Sequence, residues 1–339
     1  MQNKFIVVFL ALLLIGVIGL ALSQTELKQK DYMVSMFGKM KTNIVGDYEK
    51  PAINATEFLT TWNFNNLGEQ ERSKYYKETN LSNGTKLREY WIYAEEKELE
   101  VAPGVYYAGW AYNGQIPGPT IRATEGDIVR IYFYNKGSYP HTMHFHGFHK
   151  SGMDGAEEEY FVDPGKNFTY EFIADPVGTH LYHCHSTPLK KHIDKGLYGM
   201  FIVDPVNETR GKADKELIMV MNAFDTNFDG ENEIYAVNSL PFIYMKEPIK
   251  VKQGELVRIY IANLVENDPI NSIHIHGNFF YEYATGTLSN PSKYTDIIEL
   301  GQGERSMIDI RFASKGRFMF HAHQTEFAEK GWSGFFEVE

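Results

Sequence analysis

The chain of 339 residues has one cysteine, no histidine before position 141, and no basic block to offset a formal net charge of −11. A single cysteine cannot close an internal disulfide, so stability does not rest on one. The acidic balance argues against nucleic-acid binding and describes a solvated acidic surface. Long amphipathic helical patterns are missing, and Gly and Pro are not concentrated enough to suggest disorder. Aromatic side chains are abundant instead, with 22 Tyr and 23 Phe, as suits strand-rich domains.

The length leaves room for two or three domains and a large buried core. Lys4 followed by an apolar run from Phe5 to Leu22 and then Ser23-Gln24 reads as a secretory signal, residues 1–23, cleaved after Ser23. The same run is just long enough to persist as a membrane anchor through residues 5–22. Five Asn-x-Ser/Thr sequons follow, at Asn54, Asn80, Asn83, Asn167 and Asn207. They are compatible with export and glycosylation, and place the protein in an extracellular, cell-surface or periplasm-like space.

Residues 24–86 form a polar extension without clear periodicity. From there short strand-like runs begin, at Leu87–Ala94, Val105–Ala111, Ile128–Tyr134, Phe168–Ile173 and Thr179–His183. Turn signals such as Pro103-Gly104 and Pro164-Gly165 separate them, which predicts an all-β sandwich or barrel rather than alternating α/β. The chain then repeats itself. Gly126-Asp127-Ile128-Val129-Arg130-Ile131 returns as Gly254-Glu255-Leu256-Val257-Arg258-Ile259. Gly165, Gly178 and His183 return as Gly303, Gly316 and His321, all displaced by the same 138 positions. Landmarks repeated in the same order imply a tandem duplication, with domains at 87–206 and 214–339.

Eight of the twelve histidines fall in four His-x-His pairs: His144/His146, His183/His185, His274/His276 and His321/His323. Along a strand, residues i and i+2 share a face and the middle one points oppositely. The pairs therefore present imidazoles together, while Cys184, between His183 and His185, faces away. A thiolate with two histidines makes an electron-transfer copper site, and His141 and His192 are the candidate nitrogens beside Cys184. In the second copy these three positions become Asn271, Ala322 and Phe327, lost together while the His-x-His pairs stay. Leu197, five after His192, is the expected axial residue, with Met200 as the alternative. Eight imidazoles exceed what one tetrahedral zinc can use, and three metal ions sharing them fit the count. His149 and His180 are left as ordinary polar or supporting residues.

These residues carry a family resemblance. Asn113-Gly114-Gln115-Ile116-Pro117-Gly118-Pro119, both His-x-His-Gly motifs, His183-Cys184-His185 and the degenerate His321-Ala322-His323 resemble the multicopper oxidases, in particular the two-domain, laccase-like group related to copper nitrite reductases. The resemblance covers about residues 87–339. It implies two tandem cupredoxin-like Greek-key β-sandwich domains and four coppers per chain. A type 1 copper would sit on His141, Cys184 and His192, and a type 2 copper on His144 and His274. His146, His183, His185, His276, His321 and His323 would hold the type 3 pair. The implied partners are O2 and a reductant the sequence does not name, in a homotrimer with clusters between chains. Phenols, metal ions such as Cu(I) or Fe(II), and small nitrogen compounds all stay open as the reductant, and the missing Met-rich insertion counts only weakly against cuprous ion. Asp154 and Glu326 are candidate proton relays for dioxygen reduction. The alternatives are a copper nitrite reductase, in which an Asp would stand at His144 and the extra type 3 histidines would be missing, and a non-enzymatic copper or electron carrier.

Overall fold

A computed structural model describes residues 74–147 and 149–339, in two β-sandwiches joined by a short connection. The expected signal or anchor, most of the polar extension and the sequon at Asn54 lie outside the described residues. Among the described residues no helix is long and apolar enough to cross a membrane.

In the first sandwich, β1 (Tyr76–Asn80), β2 (Lys86–Ala102), β3 (Val105–Tyr112), β5 (Ile128–Asn135) and β7 (Asn167–Ile173) form one sheet. Its partner sheet has the order β4 (Gly118–Thr124), β9 (Tyr198–Asp204), β8 (Gly178–His183) and β6 (His144–Phe145). The second sandwich sets β10 (Lys215–Phe224), β11 (Ile234–Val237), β13 (Val257–Asn263), β15 (Phe280–Ala284), β16 (Lys293–Thr295) and β18 (Arg305–Ile310) against a second sheet. That sheet contains β12 (Ile249–Val251), β14 (Ile270–Ile275), β17 (Ile297–Gly301), β19 (Gly316–His321) and β20 (Ser333–Val338). Among the described residues three short α-helices stand beside the sheets: α1 (Leu189–Asp194), α2 (Ile243–Lys246) and α3 (Thr325–Glu329). The duplication read from the landmarks extends to strand pairing. Parallel β2/β5 matches parallel β10/β13, and antiparallel β6/β8 matches β14/β19.

Strand β5 explains why these segments pair as they do. Val129, Ile131 and Phe133 are fully buried and alternate with the more exposed Arg130, Tyr132 and Tyr134, the period-2 pattern of a half-buried strand. Strands β8, β10 and β13 break that alternation and are buried at nearly every position. The reason is a second covered face. Leu181, Tyr198, Met200 and Ile202 of the first sandwich pack against Ile218, Val220, Tyr260 and Met307 of the second. Strands buried on both sides read as continuous apolar runs, which hides their period. The N-terminal edge also exceeds the reading from sequence: β1 lies in the polar extension and pairs along β2 from Tyr76 to Asn80.

The apolar layer between the sandwiches is flanked by a charged one. Arg122 of β4 donates to both oxygens of Asp204, each at 2.7 Å, and to Glu216 of β10 at 2.8 and 3.0 Å. Burial would raise the Glu216 carboxyl, but the guanidinium outweighs it and the pKa falls below the ordinary value. Arg122→Ala would leave two neighbouring carboxylates without their cation. We expect a loss of about 2 kcal/mol, discounted from a fully buried pair because the carboxylates keep some solvent access. Thermal unfolding should show a midpoint several degrees lower, and an unchanged midpoint would mean that water replaces the guanidinium without penalty.

Candidate metal centres

The first set is built from three elements of the first sandwich. His141 sits in the loop after β5, held by a bridge to Val162, Cys184 directly follows β8, and His192 lies on α1. The Nδ1 atoms of His141 and His192 are 3.2 Å apart, and Cys184 Sγ is 3.2 Å from His192 Nδ1 and 3.9 Å from His141 Nδ1. All three are 0–2% exposed. Burial, then the neighbouring His192, pushes His141 down to about 3; burial, then Lys191, pushes His192 down to about 4. Both rings are thus neutral. Burial also pushes the Cys184 thiol up, so ligation by a metal would have to release its proton.

His141 Nε2 is buried without a hydrogen-bond partner, although buried polar atoms are normally paired. Donors this close leave room for one ion at about 2.0–2.3 Å from each, and a set of two imidazole nitrogens and one thiolate sulfur is soft enough for copper. Leu197 is bracketed by the set: its N–H donates to His192 O at 3.2 Å, and its carbonyl accepts from Cys184 N at 2.9 Å. Its side chain belongs to the same buried cluster as Cys184. Met200 instead faces the layer between the sandwiches, opposite Leu181.

The His-x-His pairs assemble into two quartets, one per sandwich, with matching internal geometry. His144 pairs across the sheet with His183, and His274 with His321. His146 Nε2 faces His183 Nε2 at 2.9 Å, and His276 Nε2 faces His321 Nε2 at 3.0 Å. Backbone carbonyls hold the outer nitrogens. His144 Nδ1 lies 3.0 Å from Asp154 O and His274 Nδ1 2.8 Å from Asp296 O, while His183 and His321 reach the carbonyls of Cys184 and Ala322 at 2.9 and 2.6 Å. Each contact fixes a proton on Nδ1 and frees Nε2 as a donor to metal. Gly147 and Gly277, at φ of 99° and 65°, turn the chain away just after each first pair, which is why glycine ends both motifs.

The quartets differ in setting. Burial, then His183, pushes His146 down to about 3, and burial takes His183 to about 4. His276 and His323 of the second quartet lie at the surface. Among the described residues, no ring contact joins one quartet to the other, and no cluster of three donors draws on both.

Of the two candidate carboxylates, the structure brings only Asp154 to the histidines. Its Oδ1 is 3.0 Å from His144 Nδ1 and 3.2 Å from His149 Nε2. Glu326, on α3, is largely exposed and pairs with Lys330 at 2.7 Å. His149 therefore has a place beside the quartet that its sequence did not reveal. His180 is a buttress, with its ring nitrogens 3.1 Å from His146 O and 2.8 Å from Pro176 O.

Sequence reasoning also missed Asp296, whose spacing from His274 differs from that of Asp154 from His144. A second omission is a pair of hydroxyl clamps. Thr142 Oγ1 accepts from His185 N at 3.0 Å, and Ser272 Oγ accepts from His323 N at 2.8 Å. Both stand two before a His-x-His-Gly motif, a repeat signal that could have been found. Thr142→Val would leave the His185 N–H unpaired, and thermal unfolding of metal-free protein should show a loss of about 1 kcal/mol. A variant as stable as the parent would mean that water satisfies this N–H.

The chain is similar to known copper proteins. Two family models, each described as multicopper oxidase, match residues 94–208 and 213–339. A copper-containing nitrite reductase of Neisseria meningitidis is 31% identical over 266 residues, covering 72% of this chain and 67% of the reductase. Laccase-24 of Oryza sativa subsp. japonica is 28% identical over 225 residues, covering 57% of this chain and 38% of the laccase. Among solved structures, one described as a multicopper oxidase superposes with a TM-score of 0.76 at 56% identity, covering 78% of this chain and 93% of that one. A copper nitrite reductase from Nitrosomonas europaea superposes with a TM-score of 0.68 at 27% identity, covering 75% and 94%.

Proposed function

This chain belongs to the multicopper oxidase family, and we propose that within it the protein is a laccase-like oxidase that takes single electrons from a reductant and reduces O2 to water. The observation that carries this reading is the pair of equivalent quartets, eight imidazoles in all, two of each four (His144 and His183, His274 and His321) having Nδ1 held by a carbonyl and Nε2 freed toward metal. His141, Cys184 and His192 would hold a type 1 copper, with Leu197 packed beside them. His144 and His274 would hold type 2, and the remaining six would hold the type 3 pair, four coppers per chain. Copper bound there would supply one-electron acceptance at the Cys184 set and dioxygen reduction at the imidazoles.

The chain contributes the connection and the proton management. Cys184 lies between His183 and His185, and its own carbonyl accepts from His183 Nδ1, so covalent bonds and one hydrogen bond join thiol to imidazole. Asp154 orients His144 and can hold a proton at Oδ1, between two imidazoles. Because no ring contact or donor cluster among the described residues joins the two quartets, a head-to-tail ring of three chains is the arrangement we favour, each cluster combining a first sandwich with a neighbour's second. Heterologous contacts of this kind close into rings. Export belongs to the same reading: the sequon residues Asn80, Asn83, Asn167 and Asn207 are all exposed.

A second reading, copper nitrite reductase, is favoured by the names of several relatives. It leaves His144, His185 and His323 without a task, since such a site would carry an Asp at position 144. A simple electron carrier would leave both quartets idle. Reconstitution separates the three. The oxidase should bind four coppers per chain and consume O2 with a reductant; two coppers with nitrite turnover, or one copper without turnover, would displace it. Assembly has its own test. Co-refolding a variant lacking His183 and His185 with one lacking His321 and His323 should restore part of the O2 consumption in mixed trimers. Sedimentation as a monomer, or silence in verified mixed trimers, would place the cluster within one chain.

A further inference from the structure

The Cys184 set is closed to water, and what closes it is aromatic. Trp110, 5% exposed on β3, lies edge-on to both imidazoles, with ring centres 4.7 Å from His192 and 5.2 Å from His141. Its backbone N–H donates to Lys195 O at 2.7 Å, tying β3 to the end of α1. Tyr139, in the loop leading to His141, stacks on Trp110 at 5.0 Å and is 47% exposed. Lys191, exposed on α1, holds its Nζ 5.3 Å from the Trp110 ring centre and 5.2 Å from that of Tyr139.

The second sandwich serves as an internal control. The isolated bridges Tyr112–Gln115 and Val237–Leu240 mark the same turn in the two copies, with Asn113 and Asn238 at φ of 52° and 53°. Counting back from it, Trp110 corresponds to Tyr235. Tyr235 stacks on Phe327, which replaces His192, with ring centres 4.1 Å apart. An aromatic ring at this depth is therefore a packing feature of both copies. Position 139 is different. It lies five before His144, and five before His274 stands Pro269, which has no ring. The ring that continues the stack to solvent occurs only beside the cysteine and its two histidines.

We propose that Tyr139 and Trp110 are the contact through which the reductant delivers its electron, and that Lys191 selects an aromatic donor bearing negative charge, such as a phenolate or aryl sulfonate. This rests on the reading of His141, Cys184 and His192 as the electron-accepting copper site. Electron tunnelling falls steeply with distance, so a donor laid against Tyr139 reaches the imidazoles by two ring-to-ring steps rather than across water. Each encounter removes one electron from the donor, leaves the donor as its radical, and reduces the oxidised centre by one. No atom is transferred, and neither ring changes its protonation. On a chain of net charge −11, the ammonium of Lys191 over the stack is the local feature that favours an anion.

Two measurements test the proposal. Metal-free protein is titrated with 2-naphthalenesulfonate, a redox-inert anionic aromatic, by calorimetry; Lys191→Glu and Tyr139→Leu should each weaken binding about fivefold. Copper-loaded protein is then reduced without oxygen while its blue absorption is followed. Lys191→Glu should slow bleaching by an anionic aryl sulfonate donor about fivefold and speed bleaching by a cationic phenylenediamine, whereas Tyr139→Leu should slow both. The position of the blue band should be unchanged in both variants, as the ligands are untouched. Bleaching and binding within about twofold of the parent in both variants would overturn this proposal alone, provided the parent is blue and consumes O2. A parent that never turns blue would overturn the copper reading, and this one with it.

Discussion

Side-chain alternation along β8 is the constraint on which the site depends. Tyr182 and Cys184 point into the core of the first sandwich, while Leu181 and His183 point to the opposite face. One strand end therefore delivers a thiol inward and two imidazoles outward, with a single peptide step between them. β19 repeats the geometry with Phe320 and Ala322 inward and His321 and His323 outward, and holds no thiol. A slip of one residue in β8 would exchange the faces and dismantle both the first quartet and the Cys184 set, and a slip in β19 would dismantle the second quartet.

Backbone pairing turns that alternation into a rigid preorganised site. His144 and His183 are register partners, and the Nδ1 atoms of both are engaged by carbonyls, so the imidazoles cannot rotate freely before metal arrives. The hydroxyls of Thr142 and Ser272 fasten the residues just beyond β8 and β19, which carry His185 and His323, to the segments that carry the first pairs. Thr142 also donates its backbone N–H to Cys184 Sγ at 3.3 Å. One residue thus touches both the Cys184 set and the quartet.

The two sandwiches are not independent platforms. The apolar layer around Leu181, Met200, Val220 and Tyr260, with Arg122 at its margin, covers the outer face of β8 and β9. That covering fixes where the first quartet can open. It also explains why Met200 cannot reach the Cys184 set, since its side chain is committed to the layer between sandwiches.

Much of this was legible in the sequence because it is local or periodic. The i, i+2 spacing fixed which histidines share a face. The matched loss at Asn271, Ala322 and Phe327 singled out His141, Cys184 and His192, which the fold then brings within 3.9 Å. Strands β5, β7 and β8 were readable within a residue, whereas β4 and β9, buried at most positions, were not. Asp154 and Glu326 looked alike as acids near histidine motifs. Only the fold turned one toward His144 and the other toward Lys330. Asp296, His149 and the Trp110–Tyr139 pair were likewise invisible, since each is placed by the path of a loop rather than by strand period. Donor chemistry and facing thus follow from residue type and strand period, which the sequence determines by itself. Which donors meet, what covers them, and which surface leads to them were decided by the packing of sheets and loops that no local period encodes.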